Sequence, residues 1–296
     1  MDFRQLRYFF VIAQEGQISR AAKKLHMAQP PLSQSLKSLE TELGVRLFER
    51  NGRTMELTNA GKVLYNRAKE LFYYLDETIN EVRDTNEGLK GTLAIGCVKT
   101  FFGHLPVKLK DFNKNYPNIN FNIHVGDTFV LSELLQNRTI EIAFVRLPLS
   151  SEIFSYYHLP EENYVVAVPE KMENNFVNGA ITMEQLARLP LLLLHRTSGI
   201  GQYEIINHEF EKRGLKPNIL CECPDVDILI ELVSHGVGVT VVPRSTIYRK
   251  NINGIKILHI QDAKIISHSA LIWLKNRYLS KSATRFIDLF RNLDHH

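Results

Sequence analysis

Cysteine is scarce in this chain of 296 residues, which holds only Cys97, Cys221 and Cys223. Three thiols at such irregular spacing cannot form a disulfide scaffold or complete a zinc site. Structural or incidental thiols are expected, although Cys221 and Cys223, two apart on a strand, would share a face. Long hydrophobic runs are missing too. The longest, Leu189 to Leu194, contains Pro190 and falls far short of the roughly 20 residues that span a bilayer. The start, Met1-Asp2-Phe3-Arg4-Gln5, runs directly into an amphipathic pattern, unlike a secretory signal. No His-Glu-x-x-His metal motif, Gly-x-Ser-x-Gly elbow, Lys-Ser/Thr phosphate loop or dinucleotide fingerprint occurs. These absences lead us to expect a cytoplasmic protein with no membrane association, no catalytic residues, no metal and no cofactor.

What remains is a chain that can bury real cores, with 44% apolar and 23% charged residues. At about 150 residues per domain its length suggests two or three units. The net charge of +4 is unevenly placed: residues 1–60 hold nine Lys/Arg against six Asp/Glu. Between Gln17 and Leu39 stand Arg20, Lys23, Lys24 and Lys37 with no carboxylate. Such a block is an electrostatic footprint for a polyanion, though a solvated face alone would look the same.

Periodicity narrows the choice. Phe3, Leu6, Phe10 and Ala13 recur at helical spacing, with Gly16 as a stop. Ser19 is expected to cap a short second helix that buries Ala21, Ala22 and Leu25, small residues that let a neighbouring helix approach closely. After the turn His26-Met27-Ala28, a third helix carries Pro30 and Pro31 in its first turn, where the missing amides cost little. Leu32, Leu36, Leu39 and Leu43 form its expected buried stripe, and Gly44 ends it. The opposite face carries Pro30, Gln34, Lys37 and Thr41, flanked by Ser33. None is acidic, and several can bond to base edges or phosphates. Asn51-Gly52 between two strand-like runs predicts a hairpin turn, with Arg50 and Arg53 flanking its tip. Such a wing suits phosphate or minor-groove contact.

Thr58 is a good cap for a long helix over about 59–87, which would span roughly 44 Å. Its residues Leu64, Ala68, Leu71, Leu75, Thr78 and Val82 keep a heptad spacing, the mark of a two-helix coiled coil. Packing on the chain's own downstream domain is the alternative. Lys90-Gly91 would break the helix. From Thr92 onward short β-rich runs alternate with amphipathic helices, which predicts α/β units with mainly parallel sheets in two lobes. A ligand cleft is expected at strand ends.

Taken together, Phe9-Phe10-Val11-Ile12-Ala13, Ala21-Ala22-Lys23-Lys24-Leu25, Gln29-Pro30-Pro31-Leu32-Ser33-Gln34, Leu43-Gly44-Val45-Arg46-Leu47-Phe48-Glu49-Arg50 and Leu57-Thr58-Asn59-Ala60-Gly61 resemble the LysR-type transcriptional regulators. Downstream, Ala94-Ile95-Gly96, Leu105-Pro106, Tyr116-Pro117, Glu141-Ile142-Ala143-Phe144 and Gly236-Val237-Gly238-Val239 resemble that family's effector domain. The resemblance implies an α/β chain with an N-terminal all-α winged helix-turn-helix and a C-terminal two-lobed effector domain of the periplasmic-binding-protein type (type 2). The implied division is 1–58 for DNA binding, 59–88 for a dimerising linker helix, 91–161 with 268–296 for one lobe, and 162–267 for the other. By resemblance Gln29, Pro30, Ser33, Gln34 and Lys37 read bases in double-stranded promoter DNA, and Arg50 and Arg53 touch phosphates or the minor groove.

A small-molecule effector, the only bound small molecule expected, would sit between the lobes. Its candidate residues are Lys99, Thr100, Phe101, Thr128, Arg146, His195, Thr197 and Ser198. The family often has Ser or Thr where Lys99 stands, so this lysine suggests an anionic effector, unless it faces solvent or pairs with a carboxylate. Arg146 could grip a carboxylate bidentately, or equally bridge the lobes. The resemblance further implies a homodimer through the linker helix, assembled into a homotetramer, with RNA polymerase as a further candidate partner. An enzyme of unknown chemistry carrying an appended helix-turn-helix is the competing reading. A transported-solute receptor is a weaker one, given the basic N-terminal module.

Overall fold

A computed structural model describes residues 1–51, 54–86, 90–149, 152–195, 201–248 and 253–291. The chain forms two units, Met1–Thr85 and Asn86–His296. Among the described residues no helix is long and apolar enough to cross a membrane.

The first unit opens with α1 (Phe3–Glu15), α2 (Ile18–Lys24) and α3 (Gln29–Leu43). Asp2 caps α1 in a reciprocal box with Gln5, and Gly16 ends it in the left-handed region at φ 63°. Ser19 does not cap α2: the cap position is Gln17, which makes no side-chain bond. Ala21 and Ala22 are buried and let α2 lie close to its neighbours. Leu32, Leu36 and Leu39 are buried as their spacing requires, but Leu43, in the last turn, stands 39% exposed.

Next come β1 (Phe48–Asn51) and β2 (Thr54–Leu57), paired antiparallel with Asn51 opposite Thr54. Asn51 is therefore a strand residue rather than the first residue of the turn, and 52–53 lie outside the described residues. The wing is fixed at its base. The Met55 amide donates to the Gly16 carbonyl (2.8 Å), and the Glu40 carboxylate accepts from the amides of Leu47 (2.8 Å) and Phe48 (3.3 Å).

Helix α4 (Asn59–Asn86) follows, with Thr58 Oγ1 accepting from the Gly61 amide at 3.0 Å. At Gly61 a Cβ would fall 2.1 Å from the Leu47 carbonyl oxygen, so only glycine allows helix and wing to approach this closely. Phe10 stacks on Tyr65 with centroids 4.9 Å apart and meets Phe72 at 5.4 Å, docking α4 on α1. The heptad seam is accordingly divided. Ala68 is buried in this unit's own core, whereas Leu71, Leu75 and Val82 are exposed, as is Thr78.

The second unit contains β3 (Gly91–Cys97), α5 (Leu105–Asn115), β4 (Ile119–Val125), α6 (Thr128–Gln136), β5 (Ile142–Arg146), β6 (Phe154–His158), β7 (Glu162–Pro169), β8 (Ala180–Ile181), α7 (Met183–Ala187) and β9 (Leu191–Leu194). It continues through α8 (Gln202–Glu211), β10 (Ile219–Cys223), α9 (Val226–Ser234), β11 (Thr240–Pro243), α10 (Arg244–Tyr248), β12 (Ile255–Ile260), β13 (Ile266–Ser267), β14 (Ser269–Leu274) and α11 (Lys281–Arg291). One sheet has the order β4-β3-β5-β14-β6; another runs β11-β7-β12-β8, and β9 pairs with β10. These are two lobes with separate cores, one around Phe112, Phe144 and Phe286, the other around Val166, Leu191 and Phe210.

The sheets are mixed rather than mainly parallel. β3 pairs parallel with β4 and β5, but β14 lies antiparallel to both β5 and β6, and β7 is antiparallel to β11 and β12. The reason is topological. A chain that leaves one lobe and later returns brings its last strand, β14, back in the opposite sense, which a βαβ repeat would not do. Strand β6 and helix α10 escaped the sequence reading because each is short and weakly patterned.

Candidate nucleic-acid interface and effector cleft

On α3 the side chains opposite the Leu32–Leu36–Leu39 stripe are Gln29, Pro30, Gln34 and Lys37, all exposed, with Ser33 half-buried. Pro30 and Pro31 occupy the first turn, so the start of this helix offers fewer amides and a rigid entry. Thr41 is turned back on its own helix, its hydroxyl donating to the Lys37 carbonyl at 2.8 Å. The carboxylates of the helix are engaged elsewhere. Glu40 holds the wing amides, and Glu42 pairs with the Met1 ammonium. What faces outward from the first three turns is therefore polar to cationic with no acid, the surface a DNA groove requires. Arg50 lies on β1 opposite Met55, and Arg53 lies outside the described residues.

In the second unit a cavity of about 270 Å³ opens between the lobes. Val98, Lys99, Thr100, Val125, Gly126 and Asp127 line it from one lobe; Leu194, His195, Pro224 and Val226 line it from the other. Of the residues expected there from sequence, Lys99, Thr100 and His195 are present. Thr197 and Ser198 lie outside the described residues.

Phe101, Thr128 and Arg146 are not among the cavity's lining. Phe101 is buried and stacks on Phe144 at 5.0 Å. Thr128 donates its hydroxyl to the Arg146 carbonyl at 3.1 Å. The Arg146 guanidinium, 5.8 Å above the Phe101 ring, is committed to the junction between lobes. Its Nε donates to Thr100 Oγ1 (3.2 Å) and its Nη2 to the Thr100 carbonyl (2.8 Å), both in its own lobe. Its Nη1 donates to Glu162 (2.7 Å) and Ser267 (2.8 Å) in the chain that enters and leaves the other lobe. Glu162 also accepts from the amide (2.8 Å) and hydroxyl (2.9 Å) of Ser245 at the start of α10. Arg146 is a strut between lobes, so of its two sequence readings the bridge is the one realised.

Lys99 begins a 3-10 turn, Lys99–His104, that precedes α5. It reaches across the cleft to Asp225, with Asp227 Oδ2 at 3.2 Å. The hydrogen bond that Lys99 Nζ donates to Asp225 raises the ammonium's pKa, and the same bond holds the Asp225 carboxyl low, in both cases against some desolvation. Asp225 also caps α9 by accepting the Asp227 amide at 2.9 Å, and Asp127 caps α6 through the Val130 amide. The starts of α6 and α9 are thus each occupied by a carboxylate of the chain itself.

His195 lies 3.9 Å from Glu222 and edge-on to Tyr203, whose phenol is pushed up mainly by desolvation and then by Glu222. Cys97 is buried with its thiol pushed up to about 12 by that burial. Cys221 and Cys223 are half-buried on β10 against α9. Among the described residues no group of His, Cys, Asp and Glu is placed to hold a metal. The carboxylates at positions 162, 225 and 227 went unnoticed in the sequence. Pro-Asp before an apolar helical run does mark Asp225 as a helix cap, but nothing local marks it as facing Lys99.

Comparison with known proteins agrees with both halves. Residues 3–62 match the family "Bacterial regulatory helix-turn-helix protein, lysR family", and residues 86–294 match "LysR substrate binding domain". The chain is 39% identical over 98% of its length, and 100% of the relative's, to the HTH-type transcriptional regulator BsdA of Bacillus subtilis. It is 31% identical to AlsR of the same organism over 83% of this chain and 81% of AlsR. Full-length CbnR in complex with its target DNA superposes with a TM-score of 0.77 at 24% identity, covering 99% of each chain. Full-length BenM does so at 0.58 and 26%, covering 100% of this chain and 98% of BenM.

Proposed function

This chain belongs to the LysR family of transcriptional regulators, and from that premise we propose that its α3 reads promoter DNA while a small anionic effector enters the 270 Å³ cleft beside Lys99. The observation that carries the DNA reading is the acid-free outer arc of α3, with Gln34 and Lys37 exposed and Glu40 withdrawn to hold the wing. In this reading Gln29, Pro30, Ser33, Gln34 and Lys37 meet base edges, and Arg50 and Arg53 supply positive charge for phosphates or the minor groove. The exposed apolar stripe Leu71–Leu75–Val82 supports a homodimer through α4. Paired modules then meet half-sites about a helical turn apart, and two such dimers make the tetramer expected of the family. The protein acts in the cytoplasm, binds DNA rather than turning over a substrate, and responds to a metabolite instead of carrying a cofactor.

Because Arg146 and Lys99 both span the lobes, a ligand in the cleft acts on their relative arrangement, which is how binding would be coupled to DNA. The test is selection of genomic fragments by the purified, nucleic-acid-free protein, followed by footprinting with and without candidate anions. Protection of a defined site with two-fold character is expected. Equal affinity for all fragments under every condition would overturn the assignment. Turnover by residues 86–296 alone would instead favour an enzyme.

A further inference from the structure

The cleft's charge arrangement differs from a simple anion receptor. The ammonium of Lys99 is already neutralised from the opposite lobe. We propose that Asp225 is a resident competitor for Lys99, so that effector binding exchanges one carboxylate for another, and the cleft accepts a compact monoanion with an apolar body while turning dianions away. This rests on the reading of the cleft as an anionic-effector site and goes further by fixing the ligand's charge and the residue that sets it.

Three observations support the exchange. Lys99 carries the only ammonium or guanidinium among the described residues lining the cavity, and it bonds Asp225 with Asp227 at 3.2 Å. Among the described lining residues an incoming anion therefore meets no second ammonium or guanidinium, and it takes over a bond that a protein carboxylate now makes. Second, the tie is fully charged near neutral pH, since each partner is shifted toward its ionised form by the other. Competition is thus between full charges. Third, the rest of the cavity offers Val98, Val125, Leu194, Pro224 and Val226, an apolar lining that suits a small hydrocarbon body.

Asp127 lines the same space, with Asp225 and Asp227 at the Lys99 end. A second negative charge on the ligand would lie near these carboxylates, and no second ammonium or guanidinium stands among the described lining residues to receive it. At separations of about 6 Å and an effective dielectric between those of water and a protein surface, that penalty is about tenfold in affinity. The exchange also frees Asp225 from Lys99, so the ligand removes one of the ties between lobes as it binds.

The test is calorimetric titration of the full-length protein with benzoate and phenylacetate as monoanions, phthalate as a dianion and benzamide as the uncharged analogue. The variants are Asp225→Asn and Lys99→Met. Asparagine caps a helix as well as aspartate does, so Asp225→Asn removes the charge while keeping the start of α9. The monoanions are expected to bind wild type, phthalate at least about tenfold more weakly, and benzamide undetectably. Asp225→Asn should tighten monoanion binding about three- to fivefold, the scale of a partly exposed ion pair. Unchanged or weaker monoanion binding in Asp225→Asn overturns the proposal, as does phthalate binding wild type as well as benzoate; in both cases the anionic reading survives. Absence of anion binding altogether, or monoanion binding indifferent to Lys99→Met, refutes the anionic reading itself and the exchange with it.

Discussion

Replacing Arg146 by methionine tests whether the two lobes are held together as the side chains indicate. The guanidinium is buried, its side chain 6% exposed, and it makes hydrogen bonds to Thr100, Glu162 and Ser267. Methionine keeps most of the volume and removes the charge. The loss then concentrates on Glu162, left as an anion in a mostly buried position. Breaking a buried pair from one side costs about 3–5 kcal/mol. Glu162 is 17% exposed and keeps two donors from Ser245, so the lower end applies, about 3 kcal/mol. The Thr100 carbonyl is not orphaned, since the Thr246 hydroxyl still donates to it at 3.1 Å.

For a unit of this size about 3 kcal/mol corresponds to a fall of about 6–12 °C in the melting temperature. The shift should appear in the calorimetric transition of residues 86–296 and not in that of the DNA-binding unit. Adding Glu162→Gln to Arg146→Met removes the stranded charge, and at least half the lost stability should return. A cost below about 1 kcal/mol, or a double variant in which the two losses simply add, would refute the idea that this pair is a buried strut.

Three further outcomes are expected. Gln34→Ala should cost about 1–3 kcal/mol on the specific site and leave non-specific binding intact, measured by anisotropy against operator and scrambled duplexes. A uniform loss on both would remove Gln34 from base reading. Leu75→Glu, which places a charge on the exposed apolar stripe of α4, should break the pairing through α4 and at least halve the mass of the assembly in sedimentation velocity without lowering the helicity of the first unit; an unchanged mass would place the interface elsewhere. Cys97, with its thiol at about 12, should resist iodoacetamide at pH 8 in the folded protein and react only on unfolding, as followed by mass spectrometry. Rapid native labelling at that position would contradict its burial.

The DNA-binding half was the more legible because its instructions are local. Gly16 and Gly44 end helices through their own left-handed conformations, and the leucines of α3 declare their face by a spacing of three and four. Even there, errors came from tertiary contact. Ala68 reads as part of a dimer seam but is buried against its own unit, and Leu43 reads as core but lies beyond the layer that Leu39 closes. In the second unit Ile119–Val125, Leu191–Leu194 and Leu105–Asn115 were readable as elements from their patterns. Their sense within the sheets was not, because whether β14 runs parallel or antiparallel depends on how the chain returns between lobes.

Sequence by itself thus determined the helix-turn-helix, the wing, the acid-free arc of α3 and the presence of an α/β effector half, all consequences of periodicity and caps over short stretches of chain. Tertiary structure alone decided the fate of the charges. Arg146 and Glu162 are sixteen residues apart and Lys99 and Asp225 one hundred and twenty-six. An ion pair leaves no periodic trace in a sequence, because it needs only two side chains brought together by everything folded between them.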